Sequence, residues 1–351
     1  LKSLAEEYHL AMAYYYLGCL LYDRRVYDES IEDYEESILR SPDFPTVHRN
    51  LALAYYNVKK LPQRAYEEME KAFALDETDA RVYLELDQLK KRLNVAVKER
   101  WSDMEKHFDL VESRDDLYLE YVTLLNTLGE PEKALGLIKA RKFHQWEGGE
   151  GKVAAQYLTA LYQLAKAAVE KEDYAEAKEL LLRAVGEYPH NLGEGKLESG
   201  QENNLYYLLG LVQEKLGEAK DAFESLTRAC CGESEPVGMM YYNDQPPEMI
   251  YYQGLAYRML GEEEQAVSRF QKLVDYGREH IRDDVKIDYF AVSLPDLLIF
   301  EENLNERNRK HCLFMMSLGL KGLGRIDEAE KCAEELLAVD NAHQEIRVHD
   351  L

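Results

Sequence analysis

Apolar residues recur at three- and four-residue spacing along most of the chain, the period of an amphipathic helix. Only nine prolines interrupt 351 residues, so long stretches are free for helix. The pattern then repeats itself. Tyr14, Leu17, Gly18 and Leu21 are followed by Ser30, Tyr34, Ser37 and Pro42. The same figure returns as Leu161, Leu164, Ala165 and Ala168, then Ala177, Leu181, Ala184 and Pro189. It returns again as Tyr206, Leu209, Gly210 and Gln213, then Gly217, Ala222, Leu226 and Ala229. Two later copies run from Ile250 to Phe270 and from Leu313 to Leu336.

The small residue in the first helix of each pair (Gly18, Ala52, Ala165, Gly210, Gly254) lets the second helix approach closely. Small residues on the second helix reciprocate, and bulky residues one turn away fill the remaining space. Gly129, Gly217, Gly261 and Gly324 fall where two helices join and predict left-handed C-caps. Each unit is therefore a helix hairpin that must stack on its neighbours to bury its apolar face. These residues resemble tetratricopeptide repeats, with units beginning at 11, 45, 80, 115, 158, 203, 247 and 310. The unit from 80 is degenerate, with Asp87 in place of the small residue. The predicted fold is all-α, a right-handed α-α superhelix of the tetratricopeptide type. It forms one solenoid over 1–351, with regular repeats over 1–148 and long inter-repeat insertions over 149–351.

Start-to-start distances are 34, 35, 35, 43, 45, 44 and 63. All the extra length falls after a second helix, along one edge of a solenoid, so the inserted loops are expected to neighbour one another and build a binding face. The first contains Phe143, His144, Trp146, Glu147, Glu150 and Lys152; the second contains Asn191, Glu194, Lys196, Glu202 and Asn203. Both carry Gly-Glu-Gly-Lys, but neither has P-loop spacing, because Trp146 and His190 stand where the first glycine belongs. Glycine amides beside a carboxylate and an ammonium suit hydroxyl-rich or anionic groups; a glycine turn whose Glu caps the next helix is the competing reading. The third loop offers Tyr242, Asn243, Asp244 and Gln245, flat faces beside bidentate polar ends. The fourth, from Ile281 to Arg309, offers Lys286, Asp288 and Tyr289. It is apolar enough to pack back on the array, with a helix start at Ser293–Pro295 running through Phe300.

The fifth residue of successive units, Tyr162, Tyr207, Tyr251 and Phe314, predicts an aromatic ladder on the inner groove, with core packing as the alternative. In the repeat superfamily one binding mode captures a C-terminal carboxylate through a Lys and an Asn on the first helix. Tyr15 and Cys19 hold those places here, so that clamp is absent.

Charge changes the choice of partner. With 67 acidic against 43 basic residues the net charge is −24, which disfavours nucleic acid and anionic membrane surfaces. No apolar run reaches the length of a membrane span, and the first residues show no secretion leader. The absent initiator Met reads as a piece of something larger. Five cysteines without C-x-x-C spacing suit a reducing compartment, so a cytoplasmic location is expected. The Cys230–Cys231 pair reads as packing. No catalytic set, metal-ligand spacing or cofactor motif emerges; the loop carboxylates are too common in so acidic a chain to single out glycosyl chemistry.

A further resemblance concerns Phe143–Lys152, Asn191–Lys196, Tyr241–Pro247 and Lys286–Asp296. These look like the C-terminal repeat region of large bacterial proteins whose β-rich N-terminal halves are similar to galactose mutarotases and have no assigned activity. It implies loops that face a carbohydrate-related domain. The function expected is a non-catalytic scaffold for a protein partner or for such an N-terminal domain. The alternative is a carbohydrate-binding or carbohydrate-active site completed by the loops, with an oligosaccharide as ligand.

Overall fold

A computed structural model describes residues 10–146, 148–196, 200–238, 244–286 and 299–349. These residues form helices and connections, with no strand among them. The chain divides into two compact units, one of residues 1–118 with 298–302, the other of 119–297 with 303–351.

The first unit contains α1 (Ala11–Asp23), α2 (Tyr27–Arg40), α3 (Pro45–Asn57), α4 (Pro62–Leu75), α5 (Ala80–Arg92), α6 (Val97–Lys106) and α7 (Phe108–Ser113). Helix α8 (Asp115–Thr127) crosses the boundary. Pro45 and Pro62 open α3 and α4, where a fixed φ helps and a missing N–H costs nothing. At Gly18 a Cβ would stand 2.7 Å from the Tyr34 ring, so only glycine admits α2 at this distance. Ser30 Oγ donates to the Gly18 carbonyl at 2.7 Å beside that contact. In the degenerate unit, Asp87 accepts two hydrogen bonds from Arg100, at 2.9 and 2.6 Å, and both residues are buried. A salt bridge thus replaces the small–large packing used elsewhere. Phe300 is fully buried and meets the Tyr56 ring at 5.1 Å, while Asn57 Nδ2 donates to the Ile299 carbonyl at 2.9 Å. Phe300 lies in a bend rather than in the helix the sequence suggested, and Ser293–Leu298 fall outside the described residues.

The second unit continues from α8 through α9 (Pro131–Ala140), α10 (Lys152–Glu170), α11 (Tyr174–Ala184) and a single 3-10 turn at His190–Leu192. Then follow α12 (Asn203–Lys215), α13 (Ala219–Ala229), α14 (Pro247–Met259), α15 (Glu263–His280), α16 (Leu304–Gly322), α17 (Ile326–Val339) and the short α18 (Gln344–Val348). Close approach recurs at Gly210, where a Cβ would meet Leu226 at 2.7 Å.

The hairpin joints share one backbone conformation. Gly129, Gly217, Gly261 and Gly324 have φ between 74 and 82°. Arg25, Lys60, Asn94 and Glu172 hold the corresponding joints of the other hairpins at φ between 55 and 60°. A left-handed residue therefore closes each hairpin whether or not it is glycine. Among the described residues no helix is long and apolar enough to cross a membrane.

Candidate functional site

Two connections of the second unit meet at the ends of α9 and α10. Asn191 Nδ2 donates to the carbonyls of Ile138 (2.7 Å) and Arg141 (2.9 Å), groups a helix C-terminus leaves unpaired. The Asn191 carbonyl in turn accepts from the Phe143 N–H at 2.8 Å. Glu194 reaches the start of α10 and accepts from the backbone N–H groups of Gly151 (2.7 Å) and Ala154 (2.8 Å). A carboxylate there satisfies orphan donors and sits at the positive end of the helix dipole. Gly193, at φ +78°, passes so near the Phe143 carbonyl that a Cβ would lie 2.8 Å from its oxygen.

A cavity of about 300 Å³ opens between these connections, lined by His144, Gln145, Trp146, Gly149, Glu150, Val153, Leu192 and Glu194. Buried Val153 and Leu192 give it an apolar part. The Trp146 ring lies against Gly149, where a Cβ would run into the indole. Glu150 and Lys152 are exposed, and Glu147 lies outside the described residues.

Among the remaining polar candidates, Lys196, Glu202 and Asn203 are spent on structure. Lys196 Nζ donates to the Val185 carbonyl at 2.6 Å and pairs with Glu202 at 2.7 Å. Burial pushes the Glu202 carboxyl up, and Lys196 opposes that shift. Asn203 Nδ2 closes the end of α13 through the carbonyls of Ala229 (2.8 Å) and Cys231 (2.7 Å). Gln245 is buried and Asp244 half-buried, just before α14. Lys286 is exposed, 3.8 Å from Asp284. Tyr242, Asn243, Asp288 and Tyr289 lie outside the described residues. The Cys230 thiol is pushed up to about 12 by burial and by neighbouring Cys231, so it stays protonated at neutral pH.

The tyrosines gather beneath α18. Tyr252 is the hub: its ring centroid lies 6.2 Å from Tyr162, 5.4 Å from Tyr207, 5.3 Å from Tyr251 and 5.4 Å from His349. Its hydroxyl is 2.6 Å from the Tyr162 hydroxyl and 2.9 Å from His349 Nδ1. Tyr251 turns toward Phe270, at 5.7 Å, and Phe314 meets His343 at 5.1 Å. Helix α18 lies on first helices of the stacked hairpins. Gln344 Nε2 donates to the Thr123 carbonyl at 3.2 Å and to Gln156 Oε1 at 3.2 Å. Lys166 Nζ donates to the Val348 carbonyl at 2.8 Å, and Lys321 Nζ to the His349 carbonyl at 3.2 Å. Ile346 and Val348 are buried in the same contact. Two ammonium groups thus meet the end of α18 where unpaired carbonyls collect.

One carboxylate here is unusual. Glu248, in the first turn of α14, has its carboxyl pushed up to about 8 by burial and by the nearby charge of Glu345. Burial also raises Glu345, but the hydrogen bond and charge of His349 outweigh it and leave that carboxyl below its ordinary value. The structure brings Glu248, Glu345 and His349 within 4.8 Å of one another, although the spacing of histidines along the chain gave no ligand set. The available signal was the four-residue step from Glu345 to His349. Tyr252 carries no signal of its own in the repeat pattern, because its neighbour Tyr251 holds the phased position.

Residues 15–80 and 162–236 match one model of the tetratricopeptide repeat, and residues 248–276 match another. The chain carries tetratricopeptide repeats over these segments, and its fold class is all-α of that type. Among solved structures, it is similar to a tetratricopeptide repeat protein from Parabacteroides merdae, at 12% identity and TM-score 0.40, covering 75% of this chain and 91% of that one. A Pseudomonas aeruginosa pilF structure matches at 15% identity and TM-score 0.25, covering 76% and 91%. MamA matches at 16% identity and TM-score 0.21, covering 75% and 95%. Tetratricopeptide repeats typically mediate protein–protein interaction, and a protein-binding scaffold is the general role that these repeats support.

Proposed function

We propose that this chain is a non-catalytic scaffold whose second unit docks a short helical segment on its tyrosine face. The segment comes from a protein partner or from another domain of the same polypeptide. The observation that carries this reading is the seating of residues 344–349, which occupy that face as a peptide ligand would. Buried Ile346 and Val348 act as anchors, each contributing roughly 1.5–3 kcal/mol of apolar burial. Lys166 and Lys321 receive the helix's C-terminal carbonyls, so a competing segment would present two apolar side chains and a free helix end. The chain's own segment then acts as an internal competitor. The five cysteines of the chain, without C-x-x-C spacing, suit a reducing compartment and support a cytoplasmic location.

The test uses a fluorescent peptide of residues 341–351 added to the full chain and to Ile346→Asp. Saturable binding to the variant alone supports exchange on this face. No binding to a variant that keeps its helical circular dichroism refutes it.

A second reading gives the cavity beside Trp146 to an oligosaccharide. An indole beside exposed Glu150, over apolar Val153 and Leu192, favours it. A sugar-dependent rise in melting temperature that disappears in Trp146→Ala would support this reading. No shift across neutral and acidic oligosaccharides would remove it.

A further inference from the structure

We propose that Glu248, Glu345 and His349 form a site for one divalent transition-metal ion of the Zn²⁺ or Mn²⁺ class, which ties α18 to α14. The three donor groups lie within 4.8 Å of one another. Glu345 lies in α18 and His349, four residues on, caps its C-terminus, with Glu345 Oε2 3.3 Å from His349 Nε2. Two ligands held at about 2.0–2.1 Å by a tetrahedral ion are about 3.3 Å apart, so this pair already has coordination spacing.

The other imidazole nitrogen is also accounted for. Nδ1 lies 2.9 Å from the Tyr252 hydroxyl; an ion bound at Nε2 would take the place of the Nε2 proton that now faces Glu345, and the remaining ring proton would rest on Nδ1 toward that hydroxyl. A hydrogen bond of this kind fixes the tautomer and orientation of metal-binding histidines. Tyr252 is held in turn by the Tyr162 hydroxyl at 2.6 Å.

Glu248 supplies an independent observation. It is only 9% exposed, and among the described residues no Lys or Arg side chain pairs with it. The ligand atoms of Glu345, a second carboxylate, and of Glu248 lie within 4.8 Å of each other. A buried carboxylate without a cation is costly, and a dication between the two acids removes both the burial penalty and the repulsion. One imidazole nitrogen with two carboxylate oxygens suits Zn²⁺ or Mn²⁺ better than Mg²⁺ or Ca²⁺, which favour oxygen alone. The site depends on α18 being seated where it is, and not on any exchange with a partner.

The test is a titration of the full chain, stripped with a chelator, using Zn²⁺ in competition with a chromophoric chelator and Mg²⁺ as control. One Zn²⁺ should bind per chain and raise the melting temperature, with Mg²⁺ inert. Glu248→Gln and His349→Gln should each weaken binding at least about tenfold. His280→Gln, at the exposed His280–Asp283 pair (2.7 Å), should leave it unchanged. Glu345→Gln, on a half-exposed side chain, repeats the test if Glu248→Gln loses its native circular dichroism. Absence of saturable one-to-one binding by the unsubstituted chain would overturn the proposal. So would equal affinity in the unsubstituted chain and the ligand variants.

Discussion

Replacing Glu194 by Ala should destabilise the second unit without touching its core. The side chain makes two charge-assisted hydrogen bonds, to the N–H groups of Gly151 at 2.7 Å and Ala154 at 2.8 Å. Gly151 itself offers no side-chain cap to α10, so Glu194 acts as a cap delivered from another connection. Loss of a cap costs about 0.5–2 kcal/mol, and loss of a negative charge at a helix N-terminus about 0.3–1 kcal/mol. Glu194 is half-buried, so the dipole contribution belongs near the lower end, and Glu194→Ala should cost about 1.5–2 kcal/mol. Glu194→Gln keeps an acceptor but not the charge and should cost about 0.5–1 kcal/mol. The two tryptophans allow each unit to be followed alone, since Trp101 lies in the first and Trp146 in the second. Urea unfolding followed by Trp146 fluorescence in a Trp101→Phe background gives the difference from the midpoint and slope. A Glu194→Ala change below about 0.5 kcal/mol would refute the capping role, because even the weakest caps reach that cost.

Two further outcomes follow from the first unit and from the hairpin joints. Glu172 is exposed with φ 59°, so Glu172→Gly should relieve about 1–2 kcal/mol of left-handed strain. Part of that returns as unfolded-chain entropy, and a net gain of about 0.5–1 kcal/mol is expected in the same Trp146 melt. In the first unit, His48 Nδ1 lies 2.6 Å from Glu68. Burial opposes protonation of His48, but the hydrogen bonds to Glu68 and to the Pro42 carbonyl, with the charge of Glu68, together outweigh it and raise the imidazole, while His48 and Lys71 lower Glu68 against its burial. The His48 contribution is complete below its unfolded value near 6.5 and is lost as pH rises through the raised folded value. The Glu68 contribution is present above about 4.5 and is lost as pH falls through the lowered one. The advantage of the unsubstituted chain over His48→Gln, followed by Trp101, should therefore be larger near about pH 5.5 than near about pH 8.

Much of this architecture was legible because hairpin packing writes itself into sequence. Gly18, Gly210 and Gly254 mark places where a second helix presses too close for a side chain, and the glycines at 129, 217, 261 and 324 mark left-handed joints. Arg25, Lys60, Asn94 and Glu172 adopt the same joint without glycine; backbone strain tolerated by a packed hairpin leaves no compositional trace. Asp87 looked like a defect because Arg100, which neutralises it, sits on the following helix at a spacing no repeat pattern encodes.

The candidate sites were less readable. Asn191, Glu194 and Asn203 carry ligand chemistry in the sequence, yet the groups that suit a sugar hydroxyl also suit an unpaired backbone group at a helix end. Only the competing reading of a glycine turn with a capping Glu anticipated part of this, and the cap acts across two connections. The tyrosine face depends on Tyr252 and on Glu345 and His349, which lie 90 or more residues along the chain. Periodicity finds the helices that form such a face, but the segment that covers it has no period of its own.

Hydrogen exchange over residues 340–349 tests the central claim most directly. If this segment is seated on the tyrosine face, its amides should be protected in the full chain and lose protection in Ile346→Asp, while α10 and α14 keep theirs. Exchange of residues 344–349 at unprotected-chain rates in the unsubstituted protein would contradict the account, because no segment would then be occupying the face.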